Sequence, residues 1–367
     1  MKNFKILAIN PGSDSLKIAL FENEELFFYE TIYYSSNKIK EISNENDELQ
    51  FKTEMVIQTL KKHNISLDDI DAFSARAGGL TSLAGGVYLV NDLLLKHAKE
   101  GFSLKHASNL GVQIAHNLSL LNKKPAYTVN PVTVDEFQDI ARITGIKGIY
   151  RHSIFHALNQ KEVAYQYSKK INKSYNKLNL IVVHLGSGIT IGAHKKGKVI
   201  DVNNALNGDG PFTTSRTGSV VASDLIDLCF SGNYTKPEIY ELVTKKGGLL
   251  SLIGTNDVRE ILKMIESGDK KAKLVLDAML YQISKQIGAL SINFGNNLDA
   301  IILTGAMAKS TYVTNTIKNY ISFLAKVEIF AGELEMSALS NGVLRVLTNV
   351  EEALEYKGIP VENNNLI

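Results

Sequence analysis

Short apolar runs separated by glycine-rich turns alternate along this chain, and this alternation predicts a mixed α/β protein. Residues 4–9 form a β-rich run, the string Asn10-Pro11-Gly12-Ser13 is typical of a turn, and residues 16–21 form a second run. We therefore expect a β-hairpin in this first segment. Residues 68–75 then predict a strand that leads into Arg76.

The hairpin pattern recurs after roughly 170 residues, and we interpret this recurrence as a duplication. Residues 179–184 form a β-branched run, Leu185-Gly186-Ser187-Gly188 is a turn, and residues 189–193 form the return run. Residues 299–303 repeat the later strand and enter Thr304-Gly305-Ala306. Two similar α/β halves with facing glycine loops indicate a nucleotide site in a cleft, although any one glycine turn can simply join two strands.

The domain organisation has to be inferred from the pattern, because no Pro/Ser-rich linker separates the halves. Amphipathic spacing predicts helices over residues 55–62, 153–170 and 339–356. We place the boundary near Tyr150, which gives an N-terminal domain of residues 1–150 and a C-terminal domain of residues 151–344. A C-terminal helix over about residues 345–367 is expected to pack back on the first domain.

Composition and charge exclude several classes of protein. The chain has 367 residues, with 40 lysines and arginines against 38 aspartates and glutamates, so its formal net charge is +2. No large single-sign field exists to attract nucleic acid or a membrane surface, and no apolar stretch approaches the roughly 20 residues of a transmembrane helix. A single cysteine, Cys229, excludes a disulfide framework, which favours a cytoplasmic protein; we expect Cys229 to be a small buried hydrophobe.

Three glycine turns are the main candidates for binding chemistry, since the chain has no Walker loop and no protein-kinase motif. They span residues 10–17, 184–190 and 304–308. Backbone N–H groups in such turns can cradle phosphates. Arg76 precedes Gly78-Gly79, and Arg216 stands in a second glycine loop. Their guanidinium groups match phosphate or carboxylate oxygens, although a solvated surface charge is the plainer interpretation of either arginine.

The sequence supports some histidines more strongly than others as candidate site residues. His152 and His156 are spaced i, i+4 on the expected helix, which is compatible with zinc, yet no metalloprotease glutamate or cysteine accompanies them. His184 ends a buried-type strand before a glycine turn and is a better candidate, because loops at strand ends carry function. His106 lies in a separate short string before Gly111. The remaining histidines are assigned to the surface or core: His63, His97, His116 and His194.

Five strings spread along the chain carry a family resemblance. They are Asn10-Pro11-Gly12-Ser13, His106-Ala107-Ser108-Asn109-Leu110-Gly111, Ser153-Ile154-Phe155-His156-Ala157-Leu158-Asn159-Gln160-Lys161, Asp201-Val202-Asn203-Asn204-Ala205-Leu206 and Gly208-Asp209-Gly210-Pro211-Phe212. Together they resemble the butyrate kinase branch of the acetate and butyrate kinase family, within the superfamily of actin, sugar kinases and heat-shock chaperone ATPases. The similarity extends over residues 5–347, nearly the whole chain.

This resemblance implies both a fold and an activity. The fold is a duplicated ribonuclease-H-like α/β domain, of the actin-like ATPase type, with the active site between the halves. The family transfers a phosphoryl group reversibly between ATP and a short-chain carboxylate, with Mg²⁺, to give an acyl phosphate and ADP. The implied substrate is butyrate or a related short or branched-chain fatty acid. A homodimer or larger homo-oligomer is also implied, with no nucleic acid or membrane partner.

Site residues follow from the resemblance position by position. The implied catalytic residues are Asn10, Arg76, His156, His184 and Arg216. The implied nucleotide-binding residues are Gly12, Ser13, Lys17, Gly186, Ser187, Gly188, Gly305, Ala306 and Met307. The implied carboxylate-binding residues are Val87, His106 and Phe155. Glu335 looks like the family's magnesium-associated glutamate, and Asn130 is the second implied metal residue.

The chain departs from the family pattern at three positions, and two alternative functions stay open. Asn130 stands where the family has aspartate, Ser215 replaces a glutamate before Arg216, and Ala306 replaces a glycine in the adenosine loop. Asn130 and Ala306 favour one alternative, a catalytically weakened ATP-binding paralogue. The other is the same chemistry on acetate or propionate, because one methylene group contributes only about 0.8 kcal/mol of burial.

Overall fold

The computed structural model divides into two compact units. The first combines Met1–Asp135 with Leu334–Glu362, and the second is built on Glu136–Glu333. The structure describes residues 3–12, 14–34, 44–102, 108–204, 206–362 and 366. Ser13 and His106, both proposed from the sequence as site residues, lie outside the described residues.

The strands and helices are numbered here in chain order. The strands are β1 (Lys5–Pro11), β2 (Ser15–Glu22), β3 (Glu25–Tyr33), β4 (Ala72–Ala75), β5 (Val87–Leu89), β6 (Ala126–Val129), β7 (Asn179–Leu185), β8 (Ile189–Lys195), β9 (Lys198–Val202), β10 (Ala300–Gly305), β11 (Val327–Ala331) and β12 (Leu354–Glu355). The helices are α1 (Glu45–Lys62), α2 (Asp92–Glu100), α3 (Asn109–Asn122), α4 (Asp139–Arg142), α5 (Ala157–Lys170), α6 (Ala222–Phe230), α7 (Lys236–Thr244), α8 (Gly248–Ile253), α9 (Val258–Glu266), α10 (Lys270–Ser291), α11 (Thr311–Ile321) and α12 (Glu335–Leu347). Short 3-10 helices span Leu67–Asp69, Tyr175–Lys177 and Ala306–Lys309.

The first unit is built on a seven-stranded sheet with the strand order β12-β5-β6-β4-β1-β2-β3. Strands β1, β2 and β3 are antiparallel neighbours, whereas β4 runs parallel to both β1 and β6. The interior strand β1 is almost wholly buried from Ile6 to Pro11, as expected for a central strand with apolar residues on both faces. Helix α12 returns to this unit, where the Ser74 hydroxyl donates to the Leu339 carbonyl at 2.7 Å.

The second unit repeats this topology on a five-stranded sheet with the order β11-β10-β7-β8-β9. Again three consecutive strands are antiparallel, and the next two are parallel to the first of them. The long helix α10 buries Leu276, Met279, Leu280, Ile283 and Ile287, a spacing that puts one apolar stripe on the core. Its N-cap, the Asp269 carboxylate, accepts from the Ala272 N–H at 2.9 Å.

This repeated topology confirms the predicted duplication and both predicted hairpins. The first strand of the first unit ends at Pro11, and its counterpart in the second unit ends at Leu185. Each unit thus carries a glycine turn between its first two strands and a second loop after its first parallel strand. No helix among the described residues is both long enough and apolar enough to cross a bilayer.

The boundary between the units falls at Asp135 and Glu136, not near Tyr150 as the sequence pattern suggested. The reason is that Glu136 is bound into the second unit: its carboxylate accepts from Lys161 Nζ at 3.0 Å and from the Val199 N–H at 2.7 Å. Contacts made by a side chain far along the chain therefore decide where the first unit ends.

Two helix predictions need correction. Helix α5 begins at Ala157 instead of 153, so His152 and His156 precede the helix and do not share a helical face. The C-terminal helix is α12, which ends at Leu347, well short of 356 or 367. Asn349 follows in the left-handed conformation with φ 59°, and the chain then forms β12 beside β5.

Cys229 is exposed and not buried as expected. It lies on helix α6, which buries none of its residues in the part of the chain that the structure describes. The apolar string around Cys229 reflects a helix with exposed apolar side chains, such as Ile226 and Phe230.

Candidate active site

Three of the residues implied as catalytic or metal-associated meet in the first unit: Asn10, Arg76 and Glu335. Asn10 lies near the end of β1, and Arg76 directly follows the parallel neighbour β4, so the shared strand direction brings both to one edge of the sheet. Glu335 is the first residue of α12. Its Oε1 accepts from Arg76 Nη1 at 2.8 Å, and its Oε2 accepts from Asn10 Nδ2 at 2.7 Å.

This first cluster stays accessible to a ligand. Asn10 is buried, whereas the side chains of Arg76 and Glu335 are about a fifth exposed, at 21% and 20%. Lys17 lies directly opposite Asn10 in the β1–β2 ladder, so both side chains share one face of the sheet. A carboxylate, an amide and two cations are therefore gathered at this edge, a set suited to binding an anion together with a cation.

A glycine on α3 allows Arg76 to approach this closely. A Cβ atom at Gly111 would collide with the Arg76 backbone carbonyl oxygen and would lie 3.2 Å from the Pro11 ring. Any larger residue would therefore push the loop after β4 away from α3. Gly111, the last residue of the string that carried the resemblance in this region, therefore has a structural role.

The first glycine turn is braced by a tyrosine. The Gly12 N–H donates to the Ser15 carbonyl at 2.7 Å, and the Tyr34 hydroxyl reaches the carbonyls of Gly12 and Ser15 at 2.8 and 3.0 Å. Tyr34 is buried, so the turn rests on the core of the unit. Nothing in the sequence pattern singled out Tyr34.

The second cluster lies in the second unit and centres on two stacked histidines. His184 near the end of β7 and Thr304 near the end of β10 are register partners in parallel strands. His156, the N-cap of α5, stacks on His184 with ring centroids 3.8 Å apart and planes inclined by 10°. His156 Nδ1 lies 2.9 Å from the Thr190 hydroxyl, and His184 Nδ1 lies 3.0 Å from Asn159 Nδ2.

Arg216 reaches this pair across the second glycine turn. A Cβ atom at Gly188 would collide with Arg216 Nη1 and would lie 3.1 Å from His156 Cε1. A guanidinium and two imidazoles thus stand against a turn where only glycine leaves room. Burial lowers the pKa of Arg216 from its ordinary value. The group remains a cation at neutral pH, and an anionic ligand would offset the cost of its desolvation.

The loop that carries Arg216 is anchored by its own backbone and by Arg151. The Arg216 N–H donates to the Thr213 hydroxyl at 3.1 Å. Upstream, the Arg151 guanidinium donates to Asp201 at 2.8 Å and to the Val202 carbonyl at 2.9 Å, and it also lies near Asp209. Desolvation lowers the pKa of Arg151, but the two carboxylates outweigh it and raise the pKa overall. Sequence inspection missed Arg151.

The third glycine loop also needs its glycine. Gly305 has φ 92°, and a Cβ there would lie 2.5 Å from the Leu185 carbonyl oxygen, so β10 passes the end of β7 only because the side chain is absent. Gly305 and Gly332 exchange backbone hydrogen bonds of 3.0 Å. Ala306 is exposed in this loop, Met307 is buried, and in the neighbouring turn Ser187 is exposed.

The remaining predicted site residues are less accessible or have another role. Val87 and Phe155 are 1% and 2% exposed, so their contact with a carboxylate stays a prediction. Asn130 has φ 39°, its Oδ1 accepts from the Gly86 N–H at 2.8 Å, and its own N–H donates to the Gly86 carbonyl at 2.9 Å. Asn130 therefore shapes the turn before β5, and its oxygen is already engaged.

Within the part of the chain that the structure describes, a metal ion would need oxygens from a bound ligand as well. Among the described residues, no group of three or more histidine, cysteine, aspartate or glutamate side chains could hold a metal ion. Mg²⁺ commonly binds through one or two carboxylates together with substrate phosphates. Glu335 suits that mode because its carboxylate is partly exposed and is held at the sheet edge by Arg76 and Asn10. Asn130 does not suit it.

The histidine His194 is buried beneath the second cluster. From the sequence alone it was indistinguishable from an ordinary surface or core histidine. It is fully buried, with Nδ1 2.7 Å from the Tyr175 hydroxyl and Nε2 2.9 Å from Gln160 Oε1. Burial, and to a lesser degree the nearby Lys161 cation, holds the pKa of His194 well below its ordinary value of 6.5. Burial, and to a lesser degree the nearby Glu136 carboxylate, raises the pKa of the Tyr175 hydroxyl well above its ordinary value.

We expect His194 to make stability pH-dependent. Its pKa is lower in the folded than in the unfolded protein, so the unfolded state binds more protons below pH 6.5 and stability falls as the pH drops. The contribution is a slope of up to about 1.4 kcal/mol per pH unit. Urea unfolding of the wild type and His194→Gln between pH 7.5 and pH 5 measures this contribution. We expect the slope of the unfolding free energy against pH to differ between the two proteins by the equivalent of about one bound proton. Identical slopes would contradict the prediction.

Solved carboxylate kinase structures share this fold. A propionate kinase from Francisella tularensis subsp. tularensis SCHU S4 superposes with a TM-score of 0.76 at 21% identity, covering 92% of this chain and 98% of that one. Acetate kinase from Porphyromonas gingivalis superposes with a TM-score of 0.78 at 19% identity, covering 95% of this chain and 100% of that one. Acetate kinase from Entamoeba histolytica superposes with a TM-score of 0.77 at 20% identity, covering 92% of this chain and 98% of that one. The two-unit α/β fold is therefore the actin-like ATPase fold of acetate kinases.

Family membership follows from the sequence match. The model of the acetokinase family matches residues 141–343, more than half of the chain. The chain belongs to the acetokinase family. The matched segment contains His156, His184, Arg216 and Glu335, and it excludes Asn10 and Arg76.

Proposed function

We propose that this protein is a carboxylate kinase that transfers the γ-phosphoryl group of ATP to butyrate or a related short or branched-chain fatty acid, reversibly and by direct in-line transfer. The observation that carries the proposal is the packing of Arg216 against Gly188 beside the stacked pair His156 and His184. This arrangement offers a cation and hydrogen-bond donors in one place, as phosphoryl transfer requires. The related propionate and acetate kinases support the class of reaction.

The proposed reaction needs no covalent enzyme intermediate. A carboxylate oxygen of the fatty acid attacks the γ-phosphorus, a new O–P bond forms, and the bond to the β,γ-bridging oxygen breaks with its electron pair leaving on ADP. The carboxylate is already ionised at neutral pH, so no general base is required. What the protein must supply is position and charge neutralisation.

Each cluster has a role in this proposal. Arg216 and His156 stabilise the charge that spreads over the transferring phosphoryl oxygens, and His184 positions the phosphate. Arg76 holds the carboxylate while Glu335 fixes the guanidinium through their 2.8 Å ion pair. Asn10 and the backbone N–H groups of the glycine turns contact the nucleotide phosphates, and the loop from Gly305 to Met307 adjoins the adenosine. Both units contribute residues.

Mg²⁺ is the proposed cofactor, with ATP or ADP as co-substrate. Bound to the phosphates, the ion supplies electrostatic stabilisation of the developing charge. Glu335 is the residue suited to hold it, because its carboxylate offers hard oxygen ligands. Asn10 and Arg76 orient that carboxylate from opposite oxygens, which keeps it in place before any ligand arrives.

The reaction can be tested by trapping the acyl phosphate with hydroxylamine. Purified protein with ATP and Mg²⁺ is given acetate, propionate, butyrate or isobutyrate, and hydroxamate and ADP are measured together. We expect equimolar hydroxamate and ADP, with the highest kcat/KM for butyrate. Because one methylene is worth about 0.8 kcal/mol, preference between neighbouring chain lengths is expected to stay near fourfold.

The same assay decides between the alternatives. A maximum at acetate or propionate would favour those acids as the substrates. No hydroxamate from any acid, with nucleotide still bound, would contradict the proposal and support the ATP-binding paralogue that the departures at Asn130 and Ala306 suggest.

A further inference from the structure

A chain of side-chain hydrogen bonds runs through the interior of the second unit and ends on His156. The Tyr175 hydroxyl lies 2.7 Å from His194 Nδ1, and His194 Nε2 lies 2.9 Å from Gln160 Oε1. Gln160 Nε2 lies 2.7 Å from the Thr190 hydroxyl, which lies 2.9 Å from His156 Nδ1. The four residues before His156 are at most 4% exposed, and the proposed reaction uses none of them directly.

A backbone carbonyl sets the direction of this chain. Gln160 Nε2 is also 3.1 Å from the Thr190 carbonyl oxygen, which can only accept a hydrogen bond. The amide nitrogen of Gln160 therefore faces Thr190 and its oxygen faces His194. His194 must then donate from Nε2, and its Nδ1 accepts from the Tyr175 hydroxyl, so the neutral ring has both nitrogens satisfied.

At the other end, the same logic orients His156. The Thr190 hydroxyl accepts from Gln160 Nε2, and its other hydrogen-bond partner among the described residues is His156 Nδ1. The hydroxyl proton of Thr190 is therefore donated to His156 Nδ1. In the neutral imidazole the remaining proton then sits on Nε2.

The adjacent residue Asn159 does the same for His184. The Thr304 hydroxyl donates to the Gly332 carbonyl at 3.3 Å, so it accepts from Asn159 Nδ2 at 3.3 Å. The same Asn159 nitrogen donates to His184 Nδ1 at 3.0 Å, which leaves the proton of the neutral ring on Nε2. A Cβ at Gly186 would lie 2.9 Å from His184 Nε2, so this nitrogen faces the glycine turn.

A glycine in β8 gives the Gln160–His194 bond its space. A Cβ at Gly192 would collide with Gln160 Oε1 and would lie 3.1 Å from His194 Nε2. No positive φ requires glycine at this position, so the backbone alone does not account for it. The absent side chain of Gly192 thus serves the buried hydrogen-bond chain.

We propose that the neighbouring amides of Asn159 and Gln160 are positioning residues that hold His184 and His156 in the tautomer with Nδ1 as acceptor and Nε2–H as donor. Both imidazoles then offer a neutral N–H to phosphoryl oxygens, and two rings stacked 3.8 Å apart avoid carrying like charges. The contribution to phosphoryl transfer rests on the proposed function, whereas the tautomers themselves do not. The protein needs no conformational change to adopt them.

The tautomers are measured directly by ¹⁵N–¹H correlation spectra of the histidine rings in the wild-type protein. His156→Gln and His184→Gln identify the two signals by their disappearance. We expect protonation at Nε2 for both rings, with or without bound nucleotide. Protonation at Nδ1 in either ring would overturn the proposal, and this readout remains decisive even if the protein forms no acyl phosphate.

Thr190→Val and Thr190→Ser test the effect on catalysis. Valine keeps the β-branched shape but removes the hydroxyl, so kcat is expected to fall about 10²-fold with KM for ATP little changed, because a transition-state interaction is weakened. Serine restores the hydroxyl and is expected to restore kcat to within a few-fold. Wild-type kcat and an unchanged tautomer in Thr190→Val would overturn the proposal. No turnover even in wild type would instead refute the proposed function.

Gly192→Ala provides a second variant that removes no polar group. The added methyl group displaces the Gln160 amide, so we expect a kcat loss of the same order as in Thr190→Val and a mixture of His156 tautomers. A fully active Gly192→Ala protein with a pure Nε2–H signal would contradict the role of Gln160. If Thr190→Val does not fold, this variant and the wild-type spectra still decide the matter.

Discussion

Replacing Arg216 with alanine is expected to lower kcat by about 10³-fold or more, the range that transition-state arginines contribute in phosphoryl transfer. The guanidinium is half buried beside His156, so we expect its charge to act on the phosphoryl oxygens with reduced screening by water. KM for ATP is expected to change much less, because the interaction strengthens in the transition state. Initial rates across ATP and butyrate concentrations separate the two parameters.

Two further variants make this prediction specific. Arg259 is an exposed arginine of the same unit, paired with Asp257, and Arg259→Ala should leave kcat unchanged. Gly188→Ala removes no charge but puts a methyl group where Arg216 Nη1 lies, so it should also depress kcat strongly. Near-normal turnover in Arg216→Ala would contradict the assignment of this cluster to the reaction.

Replacing Arg76 with alanine is expected to reduce kcat/KM for the carboxylate by about 10²–10³-fold, comparable to losing one preorganised donor at an active site. Arg76 is proposed to hold the carboxylate, and its loss also frees the Glu335 carboxylate from its 2.8 Å partner. Arg76→Lys keeps the charge but loses the planar fork and should recover only part of the activity. ATP binding, measured by calorimetry, should survive in both.

The matched control for Arg76 is Lys62, an exposed cation of the same unit that pairs with Glu30. Lys62→Ala should keep normal kinetics. A double-variant cycle with Glu335→Gln then separates binding from positioning: the two changes should be strongly non-additive, because each residue acts through the other. Fully additive effects, or normal carboxylate kinetics in Arg76→Ala, would contradict the role given to this ion pair.

Local pattern was enough to predict the architecture. The two hairpins were predictable because strand, glycine turn and strand follow each other within about twenty residues, and β-propensity and turn chemistry agree there. Arg76 and Arg216 could be picked out because Gly78 and Gly218 stand close to them in the sequence. The glycines that make room for them in the structure are different ones: Gly111 for the Arg76 backbone and Gly188 for the Arg216 side chain.

The buried support of the site could not be predicted in this way. Asn159 and Gln160 occupy consecutive positions of an ordinary helix. The partners of Gln160, Thr190 and His194, come from a strand 30 and 34 residues further along the chain, and Asn159 bonds His184 and Thr304 on two other strands. Only tertiary packing brings these groups together, and a buried polar residue on a helix looks like any other polar residue in sequence. One small signal existed: Gly192 interrupts a β-branched run in β8.

The predictions of the domain boundary and of the helix ends were wrong for a related reason. Glu136 belongs to the second unit through Lys161 and the Val199 backbone, contacts that no change in composition announces. The apolar residues after 347 continued the helical pattern, yet Asn349 turns the chain and Leu354 pairs with β5. Periodicity does not distinguish a helix that continues from a turn followed by an edge strand.

The most direct test of the central claim follows the oxygen that attacks phosphorus. Butyrate labelled with ¹⁸O in both carboxylate oxygens is incubated with ATP, Mg²⁺ and the protein, and the acyl phosphate is cleaved with hydroxylamine, which attacks the acyl carbon. Direct transfer predicts ADP and inorganic phosphate that carries one ¹⁸O atom, seen by ³¹P NMR. Release of AMP carrying the label, or of unlabelled phosphate, would contradict transfer of the γ-phosphoryl group to the carboxylate.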